Sequence, residues 1–282
     1  LDRLSPDTFY KNETEAKMGL MGVYQSIIPD GWDYVPIHFY QFEFMSDNAF
    51  NEHAWQGSKV FGDWAQNSSS WAAGSKWSRA YSSIVRINSF LANIETAEMS
   101  DDLKNQMKAE ATFIRAYMYY DLIHFFGDVP LILEVQTLDN AKVSRTSKSQ
   151  VLDAVLKDLD FAASNLPESY GSGDIGRVTK GAALAYKAKA LLYNQRWTEA
   201  AQAAKEVIDL KVYGLFEDYN ALFTEENENN KEVIFDIQYM KDLRPQSWPS
   251  TATSFAEWPT PSVTADLINS YYMINGLPID HP

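Results

Sequence analysis

Residues 109–133 read AEATFIRAYMYYDLIHFFGDVPLIL, an apolar segment that closes with a glycine and a proline. Apolar residues recur in it every three or four positions, which lays one continuous apolar stripe along a helix. The stripe consists of Ala109, Phe113, Ala116, Tyr117, Tyr120 and Ile123. Gly127 supplies the left-handed backbone conformation that ends helices at little cost, and Pro130 cannot continue a helix. The segment therefore predicts a buried helix that stops abruptly, after which residues 131–133 continue as extended chain.

Two charged residues of this segment are expected to act structurally. Arg115 lies within the apolar helix, where a solitary charge is costly unless it is paired. We expect it to form an ion pair or to bond backbone carbonyls. Asp128 follows Gly127, a position that is typical of turn residues.

Length and composition exclude several classes of protein. A chain of 282 residues with 45% hydrophobic and 14% aromatic residues can bury a sizeable core, so we expect a globular fold. The net charge of −14 and the pI of about 4.7 oppose binding to nucleic acid and to anionic lipid headgroups. The sequence contains no cysteine, which excludes thiol nucleophiles, disulfides and thiolate metal sites. No apolar run approaches the roughly 18 to 20 residues that cross a bilayer.

Apolar periodicity predicts a mainly helical protein. The predicted helices cover residues 12–28, 75–96, 101–126, 148–164, 180–195 and 198–210. Ser147 with Gln150 fits a capping box, and Thr179 suits an N-cap. The last two helices are rich in alanine and closely spaced, which is typical of tetratricopeptide repeats with their period of about 34 residues. The expected fold class is mainly α, a tetratricopeptide-like helical repeat scaffold with long irregular loops and a few short strands.

Helical periodicity is lost in two regions, residues 31–74 and 241–261, which together contain Trp32, Trp55, Trp64, Trp71, Trp248 and Trp258. Before the second region, residues 233–239 alternate apolar and polar side chains as a half-buried strand does. Thr260 and Pro261 are predicted to begin a short helix that runs to about residue 271.

We expect a single domain over the whole chain. Its predicted parts are an opening helix, an irregular aromatic region, a helical scaffold, and a closing part with a strand, an aromatic loop and a terminal helix. These parts cover residues 1–30, 31–74, 75–215 and 216–282.

Motifs of catalysis and cofactor binding find little support. Residues 171–176 match G-x-G-x-x-G, but a dinucleotide site needs a strand before the motif, and here a predicted helix precedes it. The histidines lack H-E-x-x-H spacing, and no G-x-S-x-G elbow is present. We therefore expect no cofactor, no metal and no enzymatic activity. The abundant carboxylates leave a glycoside hydrolase pair open, because its members can lie far apart in the chain and nothing selects one pair.

Tryptophans in irregular regions are the positive signal for ligand binding. A sugar ring has an apolar face and a rim of hydroxyls, so an aromatic platform flanked by Asp, Asn, Gln or Arg suits both. The candidate ligand-binding residues are Asp47, Asn48, Trp55, Trp64, Trp71, Tyr239, Trp248 and Trp258. Each tryptophan could instead pin its loop to the core, and Asp47 and Asn48 could merely form an Asx-turn. Trp77 and Trp197 lie at predicted helix ends, and we assign both to packing.

The order Arg115-Ala116, Tyr117, Leu122 and FGDVPL at residues 126–131 resembles the signature of the SusD/RagB family. Further matches lie at residues 176–183, 197–200, 227–239 and 276–280, so the resemblance extends along the whole chain. It implies a non-catalytic, cell-surface protein that binds oligo- or polysaccharides and passes them to a SusC-like TonB-dependent transporter. Family members are outer-membrane lipoproteins of Bacteroidetes that reach the membrane through an N-terminal lipid anchor, and we expect this anchor to be absent from the chain as given. They usually continue beyond the last motif, so we expect a C-terminal part to be missing.

Two other functions stay open on the sequence. One is a peptide- or protein-binding module of tetratricopeptide type, since some members of the family are thought to take peptides. The other is a glycoside hydrolase with an unrecognised carboxylate pair. The sequence does not identify the sugar, because stacking on aromatic rings accepts many of them.

Overall fold

The computed structural model describes residues 9–28, 43, 46–51, 59–63, 65, 67, 69, 71–239 and 261–279. The chain divides into two compact units. The first contains residues 1–28 and 80–238, and the second contains residues 29–79 and 239–282. The described residues are mostly helical, with four short strands, as the composition and periodicity predict.

Helices make up most of the first unit. They are α1 (Glu13–Gln25), the part of α3 (Trp71–Asn93) from residue 80 onward, α4 (Asp101–Phe126), α5 (Lys148–Asn165), α6 (Lys180–Tyr193) and α7 (Trp197–Asp209). Short 3-10 turns lie at Ile94–Thr96, Ser172–Asp174, Ala221–Phe223 and Glu225–Asn227. Helix α4 packs on α5, α5 on α6, and α6 on α7, so consecutive helices cover each other's apolar faces in the manner of a helical repeat.

Helix α4 is the centre of this unit, and its ends have identifiable causes. Ser100 caps its start by accepting a hydrogen bond from the Leu103 amide at 3.4 Å. From Met107 to Ile123 nearly every side chain is buried, including those on the face opposite the predicted stripe. The helix is therefore covered on more than one face, although Tyr117 of the predicted stripe is 40% exposed.

Gly127 ends α4 with a backbone conformation that differs from the predicted left-handed one. Its φ of 68° is positive as expected, but its ψ is −119°, far from the left-handed helical region. Residues with a side chain avoid this combination, so the requirement for glycine is stronger than the prediction implied. The chain then enters β2 (Val129–Pro130), which pairs antiparallel with β3 (Arg145–Thr146).

Two predicted N-caps are confirmed. The Ser147 hydroxyl accepts from the Gln150 amide at 3.4 Å and donates to the Gln150 side chain at 2.8 Å at the start of α5. Thr179 accepts from the Ala182 amide at 3.2 Å at the start of α6. The side chain of Asp128 also accepts from the Lys148 amide at 2.8 Å, so this turn residue helps to start α5.

The second unit contains a two-stranded antiparallel ribbon. Strand β1 (Ala49–Asn51) pairs with β4 (Pro261–Val263), and Asn51 lies opposite Pro261. The short helices α2 (Lys59–Gly62) and α8 (Ala265–Ser270) follow the two strands. Thr264 caps α8 by accepting from the Leu267 amide at 3.2 Å.

Three sequence predictions need correction. The predicted strand at residues 233–239 is wrong, because these residues run without a strand partner and the Phe235 ring packs instead edge-on against Phe113 at 5.6 Å. The predicted helix start at Thr260 and Pro261 is also wrong, since Pro261 belongs to β4 and Thr264 is the cap. The prediction that Trp197 serves packing is also wrong, because 60% of it is exposed.

The region predicted as irregular, residues 31–74, also contains regular structure. Strand β1 and helix α2 lie within it, and α3 begins at Trp71, four residues earlier than predicted. Within the part of the chain that the structure describes, no helix is both long and apolar enough to cross a membrane.

Candidate functional site

Arg115 forms the ion pair that its position in an apolar helix predicts. Its Nε and Nη2 atoms donate to the two carboxylate oxygens of Asp158 on α5, at 2.7 and 2.8 Å. Its Nη1 atom donates to the Asn88 side chain on α3 at 3.0 Å and to the Leu133 carbonyl at 3.3 Å. Since both charged residues are buried, this bidentate pair joins three helices to the segment after α4.

Asn88 and Tyr119 hold the same extended segment. The Asn88 amide donates to the Ile132 carbonyl at 2.9 Å, and the Tyr119 hydroxyl donates to that carbonyl at 2.8 Å. Tyr119 also accepts from the Ile132 amide at 2.7 Å. Burial raises the pKa of Tyr119 to about 12. Arg115 of the sequence signature thus belongs to a structural network that fixes residues 132 and 133 after α4.

A second buried network lies in the first unit, and sequence reasoning missed it. Glu110 on α4 is fully buried and accepts from the Tyr24 hydroxyl at 2.6 Å and from Arg177 at 2.5 and 3.0 Å. The Val178 amide donates to the Tyr24 oxygen at 2.8 Å. Burial, and then the neighbouring Glu110 carboxylate, raise the pKa of Tyr24 well above its ordinary value. A carboxylate inside an apolar helix was the available signal, since the same criterion identified Arg115.

The guanidinium of Arg177 borders an open cleft of about 170 Å³. The cleft is lined by aromatic rings, carboxylates and an amide, which are Tyr170, Tyr213, Phe235, Glu168, Asp174, Asp236 and Asn229, together with neighbouring backbone and aliphatic groups. Arg177 lies over the Tyr170 ring, 4.8 Å from its centroid, and donates to Asp174 at 2.8 Å. Every residue of this lining belongs to the first unit.

Two glycines at or near the cleft allow side chains to approach the backbone closely. Gly176 has a φ of 91°, and a Cβ there would overlap the Cγ of Gln238. A Cβ on Gly181 would overlap the ring of Tyr213, whose hydroxyl bonds that of Thr179 at 2.8 Å. The predicted helix before the G-x-G-x-x-G match is confirmed as α5, so the glycines there shape a loop and not a strand-to-helix phosphate turn.

The predicted ligand residues Asp47 and Asn48 lie in a turn of the second unit. The Asn48 amide donates to the Ser46 hydroxyl at 3.1 Å, and its side chain donates to Glu43 at 2.8 Å. The Asn48 carbonyl accepts from the Thr264 amide at 2.9 Å, and the Asp47 carbonyl accepts from the Thr264 hydroxyl. This turn is therefore fixed to the start of α8, and the ligand role of both residues stays a prediction.

The other predicted ligand residues are spread between described and undescribed parts of the chain. Trp71 is the first residue of α3, and 37% of Tyr239 is exposed. The remaining four, Trp55, Trp64, Trp248 and Trp258, lie outside the described residues. The nearest described residues before Trp55 and after Trp258 are Asn51 and Pro261, which are partners in the pairing of β1 with β4.

Similar proteins of known family match most of the chain. The profile of SusD-like proteins described as "starch-binding associating with outer membrane" matches residues 5–192. SusD-like protein P25 of Formosa agariphila is 26% identical over 91% of this chain and 50% of its own length. A SusD-like protein of Bacteroides ovatus is 30% identical over 58% of this chain and 32% of its own length.

Solved structures show the same relationship. A SusD-like carbohydrate binding protein from Bacteroides fragilis is 28% identical, with a TM-score of 0.85 over 98% of this chain and 56% of that one. A laminarin binding SusD-like protein is also 28% identical, with a TM-score of 0.75 over 82% of this chain and 52% of that one. This chain thus spans about half the length of the solved relatives that it matches. By its sequence profile and its fold, this chain belongs to the SusD/RagB family.

Proposed function

We propose that this protein captures a glycan at the bacterial surface and passes it, uncleaved, to a SusC-like TonB-dependent transporter of the outer membrane. The observation that carries the proposal is the likeness to two solved relatives, one described as carbohydrate binding and the other as laminarin binding. Both share 28% identity with this chain and match most of its length.

The tryptophan-bearing segments of the second unit are the proposed binding region. Trp55 follows Asn51 by four residues, and Trp258 precedes Pro261 by three. Because Asn51 pairs with Pro261, both segments join the ribbon at the same end. An aromatic ring stacks on the C–H face of a sugar, and neighbouring polar groups bond its hydroxyls. The turn at Asp47 and Asn48 adjoins the other end of β1, where its fixed backbone supports the ribbon.

Hydrogen bonds to four carboxylates of the described residues support binding without cleavage. A glycosidase needs a carboxylic acid whose pKa is raised so that it can protonate the leaving group. The buried carboxylates of Glu110 and Asp158 each accept hydrogen bonds from an arginine, Arg177 and Arg115 respectively. The hydrogen bond from Arg196 lowers the pKa of Glu199, and hydrogen bonds to backbone and to Thr224 lower that of Glu226.

Calorimetry with single tryptophan variants tests the site. Replacing Trp55, Trp64, Trp248 or Trp258 by Ala should weaken binding of laminarin oligosaccharides by roughly 1 to 3 kcal/mol wherever the ring is a platform. Trp197→Ala is the matched control, because Trp197 is 60% exposed on α7 and should leave the affinity unchanged. Unchanged affinity in all four loop variants, with the fold intact by circular dichroism, would refute the assignment.

Three further measurements separate the competing functions. A peptide panel that gives heat where an oligosaccharide panel gives none would replace glycan capture with peptide capture. New reducing ends after incubation with labelled polysaccharide would show that the protein is a hydrolase. Uptake of labelled glycan by cells that carry a SusC-like transporter, compared with and without this protein, tests the delivery step.

A further inference from the structure

We infer that the cleft beside Arg177 is an accessory subsite for one sugar ring, which favours an amino sugar over a neutral hexose and rejects a sugar acid. The inference rests on the proposed function for its choice of ligand class. It adds a position on the helical scaffold to the loops of the second unit, and its lining consists entirely of described residues.

Size limits the occupant to a single ring. The cleft measures about 170 Å³. A cavity of roughly 150 Å³ is known to hold benzene, whereas pockets for drug-sized ligands run from about 300 to 1,000 Å³. One pyranose ring therefore fits, and an oligosaccharide would have to extend out of the cleft into solvent.

The aromatic walls are held in place before any ligand arrives. Tyr170 lies under the Arg177 guanidinium and accepts from the Gln106 amide at 3.4 Å. Phe235 packs edge-on against the buried Phe113, with ring centroids 5.6 Å apart. Rings that are already fixed lose little conformational entropy on binding, which favours stacking against the C–H face of a sugar.

The carboxylates of the lining retain acceptor capacity. Asp174 accepts from Arg177 through one oxygen, and Asp236 accepts from Gln238 through one oxygen. Each carboxylate has two oxygens and about four acceptor positions, so the second oxygen can accept from a sugar hydroxyl or ammonium group. The amide of Asn229 is already committed, because it exchanges two hydrogen bonds with Gln238 at 2.9 and 3.2 Å.

Charge decides which sugars the cleft accepts. Arg177 is the one cationic side chain among the described residues that line it, and the buried Glu110 already balances its charge. Glu168, Asp174 and Asp236 then leave the cleft with a negative potential. A protonated amino sugar is attracted, a neutral hexose binds through stacking and hydroxyl contacts alone, and a uronic acid is repelled.

Binding of three monosaccharides to the full chain tests the order. Nuclear magnetic resonance titrations at about pH 6, where the amine of glucosamine is protonated, should give the affinity order glucosamine, glucose, glucuronate. Added salt should reduce the advantage of glucosamine over glucose, because the cleft is open to solvent. Equal affinities for the three sugars, or no binding of glucosamine, would overturn the inference.

Variants locate the binding and keep folding separate from it. Asp236→Asn removes one exposed charge with little change in shape and should lower glucosamine affinity about twofold to fivefold while leaving glucose affinity nearly unchanged. Tyr170→Phe keeps the ring and should bind both sugars, whereas Tyr170→Ala should bind neither. Asp139→Asn, an exposed carboxylate in the loop before α5, is the control and should change nothing. An Asp236→Asn variant that binds glucosamine as the parent does would contradict the assignment.

The loop tryptophans separate this inference from the proposed function. If the cleft is a subsite, Trp55→Ala and Trp258→Ala should leave glucosamine binding at the cleft unchanged while they weaken oligosaccharide binding. If the protein binds no monosaccharide but binds oligosaccharides in a manner that depends on the tryptophans, the subsite is refuted and the proposed function is retained. If monosaccharides bind at the cleft and oligosaccharide binding does not depend on the tryptophans, the subsite is retained and the loop site is refuted.

Discussion

At the scale of single residues, the buried pair of Arg115 and Asp158 constrains the scaffold by joining α4 to α5. Removing one partner leaves an uncompensated buried charge, so Arg115→Met should lower the free energy of unfolding by about 3 to 5 kcal/mol in urea denaturation. Replacing both residues by apolar ones removes the stranded charge. The double variant Arg115→Met, Asp158→Leu should therefore be more stable than the single variant.

An exposed ion pair on α7 provides the control for this cycle. Lys205 and Asp209 form it four residues apart, with both side chains more than half exposed. Solvent screens such a pair, so Lys205→Met should change the free energy of unfolding by less than about 1 kcal/mol. If the double variant at Arg115 and Asp158 were no more stable than Arg115→Met, burial of an unpaired charge would not be the cause of the loss.

The sequence alone indicates at most one member of each buried ion pair. Arg115 was expected to be paired because it lies in an apolar helix, and Glu110 meets the same criterion. Their partners lie 43 and 67 residues away, at Asp158 and Arg177. A single sequence contains no signal that connects such distant positions, since only the packing of α4 against its neighbours brings them together.

At the scale of elements, the end of α4 depends on backbone conformation at one glycine. Gly127 has φ 68° and ψ −119°, and a Cβ there would meet no atom within 4 Å. The cost of Gly127→Ala is therefore conformational, and we expect it to lower the free energy of unfolding by about 1 to 3 kcal/mol in urea denaturation.

A second glycine gives a matched control of opposite sign. Gly22 lies inside α1, and a Cβ there also meets nothing within 4 Å. Alanine favours helix more than glycine does, so Gly22→Ala should raise the free energy of unfolding by about 0.5 to 1 kcal/mol. Equal changes at the two positions would show that the conformation of Gly127 is not what ends α4.

Elements were predictable where local chemistry decides them. The bounds of α4 match the prediction, and the caps at Ser147 and Thr179 were readable from side chains that bond the first turn. The strand prediction for residues 233–239 is wrong because alternation indicates which side chains are half-buried. It does not indicate whether another strand lies alongside. The helix start predicted at Thr260 is wrong because Thr264 is an equally good N-cap, and because Pro261 pairs with β1 as part of a strand.

At the scale of the whole molecule, the sequence predicts which kinds of side chain a sugar site would contain, but it does not predict where in the fold they meet. Aromatic rings beside carboxylates and amides were expected at a sugar site, and the cleft at Tyr170 has this composition. Its position was not expected, because its lining comes from residues 168–179, 212–213 and 229–236, which are distant in sequence. The tryptophan regions stand out because their aromatic residues are close together in the sequence. Closeness in sequence does not show which side chains line one cleft.

Buried tyrosines should make the stability of the whole molecule fall at alkaline pH. Burial is the first cause of the raised pKa of Tyr24, Tyr119 and Tyr186. Above about pH 10 the unfolded chain loses the phenolic proton while the folded chain retains it. Stability is therefore fully present below that pH and declines as pH rises toward the folded pKa, which is about 12 for Tyr119. Each such tyrosine contributes a loss of about 1.4 kcal/mol per pH unit.

Comparing the parent protein with Tyr24→Phe separates the ionisation of this tyrosine from that of other groups that lose protons in the same pH range. Phenylalanine cannot ionise, so urea denaturation between about pH 10 and 11 should show a slope shallower by about 1 kcal/mol per pH unit, since the unfolded tyrosine is only partly ionised there. The variant should also be less stable at pH 7, because Glu110 loses the hydrogen bond from the Tyr24 hydroxyl. An unchanged alkaline slope would mean that Tyr24 ionises as readily in the folded protein as in the unfolded chain, which its burial against the Glu110 carboxylate opposes.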